Sequence, residues 1–206
     1  MHNMKEAVII ANGRFPKHEI PLQILKKASY LICCDGAIRH LERKCIQPDI
    51  IIGDLDSIFE KQKVKYQDII VQVADQETND LTKAVNFALS KGFKKVTILG
   101  ATGKREDHTI GNISLLVNYA KSMEVIMVSD YGIWTPALES RTFKSYKGQQ
   151  VSIYTFHPEV KLISENLKYP LNEYKIKYWW EGTLNESLQD SFHLNFSGEI
   201  IVFQTH

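Results

Sequence analysis

The chain has 206 residues, 44% hydrophobic and 24% charged, with a formal net charge of +1. These ordinary globular values suit one domain or a larger unit with a small partner, and they exclude a fibrous repeat or extensive disorder. Near-neutral charge without a long block of like charges argues against nucleic acid or an anionic membrane as a partner, and no apolar run approaches the roughly 18–20 residues of a membrane span.

The opening MHNMKEAVIIANG has too short an apolar run and too little basic charge for a signal peptide, so a cytoplasmic location is the expectation. Short apolar runs at 7–11, 30–34, 50–52, 69–73, 96–99 and 125–128 then alternate with helical patterns, the layout of a parallel α/β unit. Uninterrupted runs such as VII, LICC and VTIL suit strands covered on both faces, because a strand wet on one side alternates. Leu81, Ala84, Val85, Ala88 and Leu89 form a helical stripe that Gly92 stops, and Ile110, Ile113, Val117 and Ala120 form a second. Both begin just after an acidic residue, Asp80 and Asp107, as a helix dipole favours. Cys33, Cys34 and Cys45 form no C-x-x-C pair and are expected to be reduced, buried thiols.

Beyond Tyr131 the texture changes. Runs at 141–143, 151–156, 174–178, 193–196 and 200–203 are short, β-branched or aromatic and separated by Gly, Asn, Ser and Pro, which reads as a small antiparallel sheet or sandwich. The predicted fold class is therefore an N-terminal parallel-sheet α/β domain over residues 1–132 with a smaller C-terminal antiparallel β-sandwich over 133–206. The boundary falls between Tyr131 and Leu138, where Gly132 and Pro136 interrupt regular structure.

In an open α/β sheet, ligands bind beyond the carboxyl ends of the strands. The residues there are Asn12-Gly13, Asp35-Gly36, Gly53-Asp54-Leu55-Asp56 and Gly100-Ala101-Thr102-Gly103, joined by Asp80 and Asp107 at the helix starts. An aspartate after a strand often serves only as a turn former or N-cap. Asp35, Asp54, Asp56, Asp80 and Asp107 would each need such a reason, whereas one metal and phosphate site accounts for all five. Asp54 and Asp56, two apart on an extended segment, can point to one side, and Mg²⁺, a hard ion that prefers oxygen ligands, water and substrate phosphates, relieves their repulsion.

GATGKREDH is not a Walker motif, which would need Gly at 98 and Ser or Thr at 105, where the chain has Ile98 and Arg105. What remains is a small-residue turn with Lys104 and Arg105 able to neutralise phosphate oxygens. A histidine beside a helix start, as His108 is, more often caps or packs than catalyses, and Asp107 is the better candidate base. Tyr178, Trp179 and Trp180 offer faces for a ligand ring, although aromatic runs in strands are more often core or dimer contacts.

Together CDGAIRHL, PDIIIGDLDSI, DQETNDLTKA and GATGKREDHTIGNISLL resemble the signature blocks of the thiamine pyrophosphokinase family in order and spacing, and NLKYPLNEYKI with EGTLNES resembles its thiamine-side segments. The resemblance implies an α/β domain that binds Mg-ATP, ATP being the co-substrate, and a β-domain contributing to thiamine binding and a homodimer. On matching positions Asp54, Asp56 and Asp80 would hold Mg²⁺. Asn12, Asp35, Gly36, Gly100, Thr102, Gly103, Lys104, Arg105 and His108 would form the nucleotide side. Asp107, Arg105 and Asp80 would carry the catalysis, and Lys168, Tyr169, Thr183 and Asn185 would lie near thiamine. Ala37, Lys104 and Leu184 depart from the family pattern. The implied reaction moves diphosphate from ATP to the thiamine hydroxyl. A Mg²⁺-dependent nucleotide phosphohydrolase with water as nucleophile is the alternative, and a non-catalytic sensor a further one.

Overall fold

The computed structural model describes residues 5–206. The chain divides into two compact units, one running to Ile113 and including Ser122–Asp130, the other made of Ser114–Lys121 and Tyr131–His206.

The first unit is a parallel sheet of six strands: β1 (Glu6–Ile10), β2 (Leu31–Cys34), β3 (Ile50–Gly53), β4 (Ile70–Gln72), β5 (Lys95–Leu99) and β6 (Glu124–Val128). Its order is β6-β5-β1-β2-β3-β4, and every pairing is parallel. The apolar runs are strands because both faces are covered: Ile9, Ile32, Cys33, Ile51 and Ile98 are inaccessible to solvent. Helices α1 (Glu19–Lys26), α2 (Ile38–Arg43), α3 (Glu60–Lys65), α4 (Asp80–Ser90) and α5 (Glu106–Ser114) connect them. The expected stripe of α4 packs Leu81, Ala84, Val85 and Ala88 inward, in contact with β1, β2 and β3. From β1 the chain lays strands in one direction as far as β4, then returns to put β5 on the other side of β1. The strand order therefore reverses between β1 and β5, the point where sheets of this kind bind ligands.

The second unit holds α6 (Leu116–Ala120) and two sets of antiparallel strands. One contains β7 (Gly132–Ala137), β9 (Gln150–Tyr154), β12 (Asn185–Glu186) and β14 (Ile200–Thr205); the other contains β8 (Arg141–Lys144), β10 (Lys161–Glu165), β11 (Tyr174–Lys175) and β13 (Ser191–Phe196). Alternate residues of β13, Phe192, Leu194 and Phe196, point into a core shared with Phe143, Leu162, Val151 and Val202, as a sandwich requires. Phe143 stacks on Phe192 with ring centroids 5.2 Å apart. This is the β-sandwich class the sequence suggests.

Several local expectations are corrected. Gly132 and Pro136 do not interrupt regular structure but lie within β7, where Pro136 pairs with Ile201; proline loses a donor but its φ suits an extended chain. The run at 174–178 is a strand only over Tyr174–Lys175, and Trp179–Gly182 form a 3₁₀ turn with Tyr178 and Trp180 exposed. The second helical stripe is two helices, α5 and α6, parted at Leu115. Cys45 is exposed, in a left-handed turn (φ +53°) just after α2, whereas Cys33 and Cys34 are buried in β2. Among the described residues no helix is long and apolar enough to cross a membrane.

Candidate active site

The reversal between β1 and β5 brings their outgoing loops together. Gly13 N–H donates to the Gly100 carbonyl at 2.6 Å and Arg14 N–H to that of Thr102 at 2.8 Å. Lys104 completes the junction: its Nζ lies 2.9 Å from the Asn12 carbonyl, 3.1 Å from Asn12 Oδ1 and 3.4 Å from His40 Nε2. Burial, and then the Arg39 charge, lower its pKa. The departure from the family pattern at Lys104 thus acts as a tie between the two loops.

Asp35 is buried directly beyond β2. One carboxylate oxygen accepts from Gly36 N–H, the other from Leu55 N–H at 3.1 Å, and Ser57 N–H also donates to the carboxylate. Asp35 therefore braces the 53–57 loop rather than facing the cavity. Leu55 takes a left-handed conformation (φ +73°) that turns the loop between Asp54 and Asp56, a costly state for a side-chain-bearing residue. A Cβ on Gly53 would stand 2.8 Å from the Asp35 side chain, and one on Gly36 would stand 2.0 Å from Asn12 Nδ2, so a larger residue at either position would displace the Asp35 carboxylate or the Asn12 amide. Burial, and then the Asp80 and Asp54 carboxylates, raise the Asp35 pKa to about 6 against the pull of its backbone donors.

Asp80 is the first residue of α4, and the cap before it is Asn79, whose Oδ1 accepts from Thr82 N–H at 2.8 Å. The carboxylates of Asp54 and Asp80 converge on a residue the sequence does not single out, Lys83. Its side chain is 2% exposed, and its Nζ lies 3.3 Å from Asp80 Oδ1 and 3.7 Å from Asp54 Oδ2. The legible signal was its position one turn after Asp80 on a helix packed against the sheet. Asp56 is exposed. Among the described residues no group of three His, Cys, Asp or Glu side chains gathers closely enough to hold a metal ion as the side chains stand.

These groups enclose a cavity of about 400 Å³, within the range of small-ligand sites. Asn12, Asp54, Asp80, Thr102, Lys104, Arg105 and His108 line it, with Lys83, Cys34, Asn79 and Asn112 as additional lining. Asn112 belongs by its bond to the Ala101 carbonyl at 2.8 Å. Burial pushes the Cys34 thiol well up, so it lines the cavity as a neutral group. Asp35, Gly36, Gly100 and Gly103, also expected on the nucleotide side, are not among the residues that line the cavity. Asp107 stands on the exposed side, clamped by Arg105 through Nε–Oδ1 at 3.1 Å and Nη2–Oδ2 at 2.5 Å. That clamp, with the His108 N–H, lowers the Asp107 pKa to about 2.

In the second unit Asn185 is buried and fully engaged. Its Oδ1 accepts from Tyr169 N–H at 3.0 Å and Glu186 N–H at 2.9 Å, and its Nδ2 donates to the Tyr169 carbonyl at 2.8 Å. Lys168 pairs with Glu186 at 3.0 Å, and the Thr183 hydroxyl donates to the Trp180 carbonyl at 2.7 Å. The four residues expected near thiamine therefore share one neighbourhood, in which Asn185 is a brace and exposed Tyr169 offers the free surface.

A family model described as thiamin pyrophosphokinase, catalytic domain, matches residues 22–128, and one described as thiamin pyrophosphokinase, substrate-binding domain, matches residues 132–203. Thiamine pyrophosphokinase of Bacillus subtilis (strain 168) is 30% identical over 179 residues, covering 82% of this chain and 83% of its own. Thiamine pyrophosphokinase 1 of Oryza sativa subsp. japonica is 26% identical over 202 residues, covering 84% and 76%; the match to thiamin pyrophosphokinase 1 of Caenorhabditis elegans, 34% identical, spans 46% of that protein. The crystal structure of the Bacillus subtilis thiamine pyrophosphokinase has the same fold, with a TM-score of 0.80 at 22% identity over 98% of this chain and 99% of that one.

Proposed function

Because the chain belongs to the thiamin pyrophosphokinase family, we propose that it transfers diphosphate from ATP to the thiamine hydroxyl, using Mg²⁺ and the cavity at the β1–β5 reversal. The observation that carries the reading is the meeting of carboxylates and cations, Asp54, Asp80, Lys104 and Arg105, on that one cavity. Polyphosphate with a divalent cation is the ligand that needs both signs at once.

The donors fit Mg²⁺. Asp54 and Asp80, with Asp56 beside them, offer oxygen only, and this ion is usually held by one or two carboxylates completed by water and phosphates rather than by a closed protein cage. When bound, it would neutralise phosphate charge and favour attack at phosphorus. Arg105 counters charge gathering on the transferred group, and Lys104 keeps the two phosphate-side loops joined. Asp107, with its proton affinity held low by Arg105, fixes the guanidinium and orients the acceptor hydroxyl. In the step itself, the thiamine oxygen bonds to the β-phosphorus, the bond from that phosphorus to the α-side bridging oxygen breaks, AMP departs and the hydroxyl proton is lost to solvent. Catalysis is then mostly positioning and charge neutralisation.

The acceptor side belongs to the second unit. Tyr169, bonded to Asn185, and Leu184, next to it in the chain, are exposed, as are Tyr178 and Trp180, which supports thiamine binding near Asn185 and a homodimer through these residues.

The test is AMP formation from Mg-ATP with and without thiamine, with mass identification of the product and an EDTA control. Thiamine-dependent AMP together with thiamine diphosphate is the expected result. Phosphate release indifferent to thiamine would make the protein a nucleotide hydrolase, and turnover unaffected by EDTA would remove the metal from the scheme.

A further inference from the structure

Lysine is rarely buried without a carboxylate partner, and Lys83, 2% exposed at its side chain, has two. Both are carboxylates that the proposed function gives to the cation. Their mutual repulsion, together with that of Asp35 behind them, is the cost of building this site without metal. The position of the ammonium follows from the helix: Asp80 and Lys83 lie one turn apart on α4, the helix packs on β3, and β3 delivers Asp54 to the same point. Lys83 also lines the cavity, so its charge is not sealed away from what binds there.

We propose that Lys83 is an internal counter-cation that holds Asp54 and Asp80 together in the metal-free protein and competes with a divalent cation for them. The inference rests on the Mg²⁺ reading above. Its content is a sign. A lysine that merely packed, or that helped build a preformed metal site, would on removal leave Mg²⁺ affinity unchanged or weaken it. A competing ammonium would on removal strengthen it, because two carboxylates lose their internal partner. A polyphosphate gains from the same ammonium, so metal and nucleotide affinities should move in opposite directions. Toward the metal, Lys83 is thus a positioning residue that acts through Asp54 and Asp80.

The experiment compares the full-length protein with its Lys83→Met variant in three measurements: Mg²⁺ affinity without nucleotide by calorimetry, melting temperature in EDTA, and affinity for metal-free ATP in EDTA. Expected are a lower melting temperature in EDTA, Mg²⁺ binding tighter by about tenfold and metal-free ATP binding weaker by about tenfold. Lys83→Arg, which keeps the charge, should hold Mg²⁺ affinity within about twofold of the parent. If Lys83→Met does not fold, Lys83→Gln, which keeps a donor without the charge, is read by the same criterion. Unchanged or weaker Mg²⁺ binding in a folded, uncharged variant overturns the inference while leaving the metal reading intact. A parent protein that binds no Mg²⁺, alone or with ATP, and turns over equally in EDTA overturns both.

Discussion

Asp35 shows how a carboxylate can belong to an acidic edge without touching what binds there. Its oxygens are occupied by backbone N–H groups of the loops it joins, and burial beside Asp80 and Asp54 raises its pKa from 3.8 to about 6. The folded state therefore holds this proton more tightly than the unfolded chain. That contribution is fully present below about pH 4 and is lost as pH rises through 6. In EDTA the parent should therefore lose stability relative to Asp35→Asn between pH 4 and 7, by at most on the order of a few kcal/mol. Thermal melts of both proteins across that range check it, and parallel curves would refute it. Arg105 offers a second test at this scale. Replacing it with Gln removes the cation proposed to counter charge on the transferred group and should reduce kcat by about 10²- to 10³-fold, with the melting temperature nearly unchanged because the Arg105–Asp107 pair is exposed.

Among the elements, α4 ties fold and site most closely. Its apolar stripe was plain in the sequence, and so was Asp80 at its start. The true cap, Asn79, and the buried cation Lys83 were not, because a stripe reports only which residues are apolar, not what a polar neighbour meets once the helix docks. Asn79→Ala should cost about 1 kcal/mol, a fall of about 2–4 °C in melting temperature for a chain this size. It should also weaken Mg-ATP binding, since the first turn carries Asp80; calorimetry checks the two effects separately. In the second unit, Asn185→Ala strips partners from the N–H and carbonyl of Tyr169 and from the N–H of Glu186. With three hydrogen bonds lost at about 0.5–1.5 kcal/mol each, the expected outcome is a lower melting temperature together with loss of thiamine binding. Asn185 is identifiable from sequence as a family-matched position, but its role as a brace follows only from its bonds.

For the whole molecule, the proposed dimer would cover the exposed apolar side chains near Asn185. Trp180, 72% exposed, and Leu184, 70% exposed, are among them. Trp180→Ser with Leu184→Ser should convert a dimer to monomers in light scattering and raise the KM for thiamine more than that for ATP. A variant that keeps its mass and both KM values would take this face out of the interface and out of the acceptor site.

The sequence by itself determined the fold class, and it named the residues proposed for the chemistry. Strand runs, helical stripes and turn residues are local signals, and the sheet's carboxyl edge follows from them by topology alone; hence Asp54, Asp80, Thr102, Lys104 and Arg105 could be named before any fold was seen, and the cavity gathers all five. What the tertiary structure decided is which way each group faces and what it is spent on. Asp35 is turned inward to hold a loop, Asp107 outward to hold Arg105, Lys104 across to Asn12, and Lys83 into the gap between two carboxylates. Apart from the Arg105–Asp107 clamp, which is local, those assignments depend on contacts between residues far apart in the chain, whose distances and burial arise only when the strands are brought side by side.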